Sequence, residues 1–306
     1  MTLRQWLWLS LLAFFWGSAF IFMELALPVF SPLVIVASRM TVAALLLNLI
    51  VWQRKTASRL EKAVPLFTWI QCGGLSLLSN LIPFGLVVWG QQYISASLAS
   101  ILIAAAPVFT VLLTVLWKKE RLTLSRALGV SLGFAGVVVL VGPTVLRGFS
   151  LKGAGELAIL GAALSYAIAG FAGQRFNYLP PLLVSRMTVT MGALMIVPIA
   201  LVFAPTGIVI EALKAGSAST ALLAMAGLGI FSTGLAYVIF YRLLAQVGVV
   251  NTSLVSFLVP MSAVVLSVVV LGERVGAQEL LGMGCILCGL AVLDGRLARR
   301  LVKRID

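Results

Sequence analysis

The sequence predicts an all-α polytopic membrane protein: ten transmembrane helices, laid out as two inverted five-helix repeats around a central cavity. Three observations carry this. Of 306 residues, 61% are hydrophobic and 10% charged, with a mean hydropathy of +1.14; that leaves too little polar surface to coat a water-soluble globule, whereas lipid requires none. Apolar runs near the roughly 20 residues a spanning helix needs recur ten times. The chain also repeats itself at an offset of 153, half of its 306 residues.

In order, the spans are Trp6 to Leu25, Leu33 to Trp52, Phe67 to Gly90, Ser97 to Trp117, Leu122 to Val141, Gly155 to Phe171, Leu182 to Phe203, Ala221 to Leu244, Val250 to Leu271 and Val275 to Leu293. Five fall in each half, so the expected repeats are residues 1–148 and 149–306. The connections are short and leave no room for an extramembrane domain, an ATPase or a nucleic-acid reader. Arg4 precedes an apolar run with no convincing cleavage site, so the first span reads as an uncleaved helix.

Self-similarity appears in two registers. Ser-Arg-Met-Thr-Val occurs at Ser38 to Val42 and again at Ser185 to Val189. At the offset of 153, Pro107 falls on Pro260, Glu120-Arg121 on Glu273-Arg274, and Gly129, Gly136 and Gly142 on Gly282, Gly289 and Gly295. Because five is odd, the second copy must cross the membrane in the opposite sense. Charge supports this: with the N-terminus in the cytoplasm, 16 Lys and Arg lie inside and four outside (Arg147, Lys152, Lys214 and Arg274). The net charge of +13 then needs no nucleic-acid partner. The inner turn Lys118-Lys119-Glu120-Arg121, with Arg126 after it, is matched outside by Leu271-Gly272-Glu273-Arg274 and Glu279, which keeps one of four positive charges.

Trp16-Gly17 on the first span, the stretches from Pro107 to Glu120-Arg121 and from Pro260 to Glu273-Arg274, and the glycine-spaced helices after them resemble the EamA-type carriers of the drug/metabolite transporter superfamily. The resemblance covers nearly the whole chain. It implies two inverted five-helix repeats with a substrate cavity between them. Within that superfamily the chain looks most like bacterial inner-membrane exporters of aromatic and other amino acids, with both termini cytoplasmic. The expected partners are a small-molecule substrate such as an amino acid and the lipid bilayer, with no nucleic acid and no cofactor, acting as a monomer or weak homodimer. Export of another metabolite or drug, such as a nucleotide sugar, lipid or organic cation, is the alternative, and an intramembrane enzyme a distant one.

In hydrocarbon, polar side chains persist where they face protein or a wet cavity. The third span is the richest in them, with Gln71, Ser76, Ser79, Asn80, Pro83 and Trp89, and Phe84 alongside. At the offset of 153, Ser79 falls on Ser232, Asn80 on Thr233 and Phe84 on Tyr237. Thr233, Tyr237 and Tyr241 are spaced i, i+4, i+8 on one helix face. These two stripes predict one pocket; the competing reading is hydroxyls bonded back to their own helix or joining helices. Trp16 with Ser18, and Ser165 with Tyr166, stand at matching depths, able to enclose a planar solute or to pack.

Four residues are gating candidates. Pro107 and Pro260 each remove an amide near mid-span, leaving the carbonyls of Ile103 and Ser256 without helical partners, so a kink is expected at each. Arg39 lies about seven residues after Pro32, toward the outer side, and Arg186 about five after Pro181, toward the inner side, so the inversion puts one on each side of the membrane. Each can snorkel to the headgroups, or attract a solute carboxylate at its own vestibule. Glu120 and Glu273 precede helices and read as carboxylates on exposed N-terminal amides. Glycines at 129, 136, 282 and 289 permit close helix approach, within the chain or at a dimer face.

The nine acids stay away from span centres and histidine is absent, so the usual buried group for proton coupling is missing and uniport is favoured. The same lack argues against a general base. Cys72, Cys285 and Cys288, with no histidine to help, read as small apolar-face residues and not as a metal site.

Overall fold

A computed structural model describes residues 1–53, 64–118, 124–146, 150–204 and 218–294. Among these are eight helices long and apolar enough to cross a membrane, two shorter apolar helices, and no strand. They are α1 (Leu3–Ala26), α2 (Pro32–Gln53), α3 (Leu66–Gly90), α4 (Ala96–Trp117), α5 (Leu124–Leu146), α6 (Leu151–Gly173), α7 (Pro181–Phe203), α8 (Ser219–Gly248), α9 (Val255–Leu271) and α10 (Ala277–Asp294). The protein is therefore a multi-pass membrane protein. The turn holding Lys119, Glu120 and Arg121, the sites of Arg147 and Lys214, and the basic stretches 54–63 and 295–306 lie outside the described residues.

Continuous apolar sequence forces these segments helical, because only a helix satisfies its own backbone in lipid. Their starts are written in local chemistry. Thr2 and Gln5 form a reciprocal capping box on α1. Pro32 and Pro181 open α2 and α7, where a missing amide costs nothing. The Ser95 and Ser150 hydroxyls accept the amides of Leu98 and Gly153 at the starts of α4 and α6.

Four helices contain interruptions that periodicity did not announce; in α9 it is a π-helical stretch, Ser267–Leu271, at its end. A π-helical stretch, Leu77–Leu81, sits inside α3, and another, Ile230–Leu235, sits at the matched position of α8. α4 breaks at Ala104 and Ala105, just ahead of Pro107. The expected counterpart at Pro260 differs: Pro260 lies within helix, and the break comes earlier, at Ser253 and Leu254. Gly248 (φ 76°) ends α8, a helical turn runs on to Thr252, and so α9 begins at Val255, later than Val250. Only glycine adopts that φ without strain.

Packing follows a pattern that survives exchange of each helix with the one five places on. α2 lies on α7 and α5 on α10; α1 packs on α8 and α9, while α6 packs on α3 and α4. α2 also touches α8, and α7 touches α3. The glycines bring α5 and α10 together within one chain: a Cβ on Gly136 would lie 2.7 Å from the Gly282 carbonyl oxygen, and one on Gly289 2.7 Å from that of Gly129. Large apolar side chains such as Leu45, Phe67, Leu194, Leu201 and Val269 are exposed on the outside, whereas Ser76, Asn80, Ser232, Thr233 and Arg39 are buried. This inside-out polarity is the one lipid demands.

Candidate functional site

Inside the bundle is a cavity of about 670 Å³, lined from α1, α2, α3, α4, α6, α8 and α9. Its wall is mostly aromatic and apolar: Trp16 and Phe20 from α1, Phe84 from α3, Tyr166 from α6, Tyr237 and Phe240 from α8. Arg39 is the one side chain charged at neutral pH among the described lining residues. Both broken segments reach this wall, with Ile103, Ala104 and Pro107 on one side and Ser253, Ser256 and Pro260 on the other.

Arg39 does not snorkel. Only 6% exposed, it donates from Nε to the Thr233 hydroxyl at 2.8 Å, and its guanidinium carbon lies 3.6 Å from the Phe84 ring centroid. Thr233 in turn donates to the Leu228 carbonyl, five residues back, at 3.1 Å. Thr233 thus stands within the π stretch and is fixed, and Arg39 through it, by a carbonyl just ahead of that stretch. π stretches inside α-helices are frequent at functional sites for this kind of re-aiming.

A second layer stands behind the wall. Tyr237 donates its hydroxyl to Asn80 Oδ1 at 3.1 Å, and the Asn80 amide nitrogen donates to Ser79 at 3.0 Å and Ser76 at 3.3 Å. Ser79 bonds back to the Leu75 carbonyl. Ser18 pairs with Ser232 at 3.3 Å, and Ser165 donates to the Leu78 carbonyl at 2.8 Å, so the π stretch of α8 is tied to α1 and that of α3 to α6. Trp16 packs against Phe240 with centroids 5.5 Å apart.

Of the residues singled out from sequence, Trp16, Phe84, Tyr166, Ser232, Thr233, Tyr237, Arg39, Pro107 and Pro260 border the cavity. Ser76, Ser79 and Asn80 form the layer behind it. Tyr241 stacks on Tyr237 but turns away, its hydroxyl accepting from Ser185 at 2.6 Å. Arg186 does not line the cavity as Arg39 does: it donates from Nε to Asn48 Oδ1 at 2.8 Å where α7 meets α2. Gln71 and Trp89 are exposed on the outside of α3. Sequence reading passed over Phe20 and Phe240, though Phe240 stands three residues from Tyr237 on the same helical face.

Beyond one end of the cavity, polar contacts join α1, α3, α4 and the α9–α10 turn. Gln91 donates to the Phe20 carbonyl at 2.9 Å and to Glu24 at 3.2 Å. Glu273 accepts the amides of Ala96 at 2.9 Å and Ser97 at 3.1 Å, and also the Ser97 hydroxyl. Its carboxylate therefore caps α4, not the helix it precedes; before α10 that part is played by Glu279, which accepts the Gly276 amide at 2.9 Å. Of these residues Phe20 alone borders the cavity, whose described lining runs on toward the other end, to Leu244, Thr252 and Ser253.

Comparison with known proteins agrees with this architecture. A solved crystal structure superposes with a TM-score of 0.68 at 21% identity, covering 98% of this chain and 99% of the other. An uncharacterized transporter of Bacillus subtilis is 25% identical over 94% of this chain and 95% of its own length. A probable terminal-alkyne amino-acid exporter of Streptantibioticus cattleyicolor is 26% identical over 93% of this chain and 92% of its own. The profile of the EamA-like transporter family matches residues 4–142 and again 153–293, and the chain belongs to that family.

Proposed function

We propose that the protein exports small organic solutes, most of all aromatic amino acids, across a bacterial inner membrane. Two five-helix halves of opposite orientation alternate access to the cavity between them, and both termini are cytoplasmic. The observation that carries the reading is the aromatic cavity with a single cation, sealed beyond one end by the Glu24–Gln91 and Glu273–Ser97 contacts and lined toward the other. By the distribution of basic residues, the sealed end is external and the lined end cytoplasmic. Helix packing that survives exchange of the halves supports the inverted arrangement, and a relative named for amino-acid export supports the substrate class.

The absence of any acid from the described cavity lining counts against organic cations, and a lone guanidinium counts against a diphosphate. The described acids Glu24 and Glu156 sit near span ends, Glu156 fully buried. Transport is therefore read as uniport down the solute gradient.

The decisive experiment is counterflow in proteoliposomes with radiolabelled aromatic, branched, acidic and basic amino acids, a nucleotide sugar and a lipid. Saturable exchange of the aromatic amino acid is expected, unchanged when the pH gradient is collapsed. Exchange of the nucleotide sugar or lipid alone would overturn the substrate class, and strict dependence on the pH gradient would overturn uniport. Cysteines replacing Lys118 and Arg274 should label from opposite sides; labelling from the same side would remove the inverted arrangement.

A further inference from the structure

We infer that the cavity takes an α-amino acid in one orientation: its carboxylate lies on the terminal nitrogens of Arg39, and its ammonium lies against the backbone carbonyls of Ile103 and Ser256, which Pro107 and Pro260 deprive of their usual helical amide. This rests on the carrier reading above and goes beyond it by assigning each end of the solute to named atoms.

The carboxylate end follows from what Arg39 lacks. Its Nε is taken by Thr233 and one face by Phe84, which together fix the guanidinium. It makes no other hydrogen bond to a described residue, and no described Asp or Glu lines the cavity. A guanidinium this buried needs an anion. Its two terminal nitrogens present a planar fork that fits a single carboxylate bidentately. A phosphate ester or diphosphate carries more charge than one guanidinium balances, and no lysine lines the described cavity.

The ammonium end follows from the breaks. Proline has no amide to return to the fourth residue before it, so Pro107 and Pro260 leave the carbonyls of Ile103 and Ser256 without that bond, and all four residues line the cavity. Around Pro107 the next two amides do not compensate: Val108 and Phe109 both donate to Ala105, at 2.9 and 3.3 Å. Carbonyl oxygens are the acceptors an ammonium with three donors requires, and they take it without a carboxylate that would also admit simple amines. Trp16, Phe20, Tyr166 and Phe240 remain to enclose the side chain.

The consequence is a site that reads both charges of a zwitterion. It can be tested in proteoliposomes by competing radiolabelled L-phenylalanine counterflow with L-phenylalaninamide, which lacks the carboxylate, and 3-phenylpropionate, which lacks the ammonium. In the unaltered protein each analogue should need at least a tenfold higher concentration than unlabelled phenylalanine for equal inhibition. In Arg39→Gln the half-saturating concentration of phenylalanine should rise at least tenfold, and phenylalaninamide should become as good a competitor as phenylalanine. If phenylalanine exchange saturates but phenylalaninamide competes equally in the unaltered protein, the assignment of Arg39 is overturned while the carrier stands. If 3-phenylpropionate competes equally, the carbonyl subsite is overturned. If folded protein exchanges no amino acid, the carrier reading fails and takes the inference with it. Should Arg39→Gln not fold, competition in the unaltered protein decides alone.

Discussion

The carboxylate of Glu273, in the turn between α9 and α10, accepts the Ala96 and Ser97 amides at the start of α4, with the Ser97 hydroxyl as a third donor. One side chain thus satisfies two amides a helix leaves open and lies at the positive end of its dipole. It also ties the α9–α10 turn to the first half of the chain at the sealed end. Glu273→Ala should cost about 1.5–3 kcal/mol, the range for hydrogen bonds to a charged group, read as a lower unfolding temperature in detergent. Ser97→Ala, which keeps both amide bonds, should cost less. Equal effects of the two would show that the amides contribute little.

Tyr237 and Asn80 make the second test. Asn80 is 1% exposed, and its Oδ1 accepts from Tyr237. Tyr237→Phe removes the donor and strands that oxygen, which should cost about 1–3 kcal/mol. Asn80→Leu with Tyr237→Phe removes both partners and should recover part of the loss. A double-mutant cycle in thermal unfolding measures it; strictly additive effects would mean that the bond does not hold the wall.

How far these relations were readable from the sequence depends on what each needs. The spans were legible because lipid imposes length and apolarity on a helix regardless of its neighbours. Faces were harder. Residues i and i+8 overshoot two full turns by about 80°, which is why Tyr237 borders the cavity while Tyr241 reaches Ser185 instead. The repeated pentapeptide suggested equivalent arginines, yet their surroundings are not repeated. Asn48, which holds Arg186, is matched on α7 by Met195, so Arg39 meets no amide there and turns to Thr233. Thr233's counterpart, Asn80, is already engaged by Tyr237. The π stretches left no periodic mark, since one extra residue in a turn is invisible in apolar sequence. Nor could spacing tell that Glu273 caps α4, a helix more than 170 residues away in sequence.

The α5–α10 contact predicts a contrast among glycines. A Cβ at Gly289 would come within 2.7 Å of the Gly129 carbonyl oxygen and 2.9 Å of the Gly133 Cα, both backbone atoms that cannot rotate away. At Gly284, on the same helix, a Cβ would meet nothing within 4 Å. Gly289→Ala should therefore separate the helices and lose well over 1 kcal/mol, the lower range of overpacking costs being about 1–3 kcal/mol. Gly284→Ala should be neutral or slightly stabilising through lower chain entropy. Folded yield and unfolding temperature check both; tolerance of Gly289→Ala would mean that α5 and α10 are not clamped together.

Pro107 and Pro260 differ in a way that separates their roles. At Pro107 the helix is already broken, at Ala104 and Ala105, and the residue borders the cavity. Alanine there supplies an amide within reach of Ile103, so α4 can run on as continuous helix and withdraw the carbonyl from the cavity. Pro260 lies within regular helix, and the break near it, at Ser253 and Leu254, is held without it by the Ser256 and Phe257 amides donating to Ser253 and Leu254 at 3.0 and 3.1 Å. Pro260→Ala therefore withdraws one carbonyl but leaves that break in place. Pro107→Ala should raise the unfolding temperature while cutting L-phenylalanine exchange several-fold, and Pro260→Ala should reduce exchange less. Since a proline inside a helix costs about 3 kcal/mol, Pro260→Ala should be at least as stable as the parent, and folded yield measured beside exchange in both variants separates an effect on the cavity from lost protein. The reverse order, with Pro260→Ala the more damaging, would move the critical break from α4 to the start of α9.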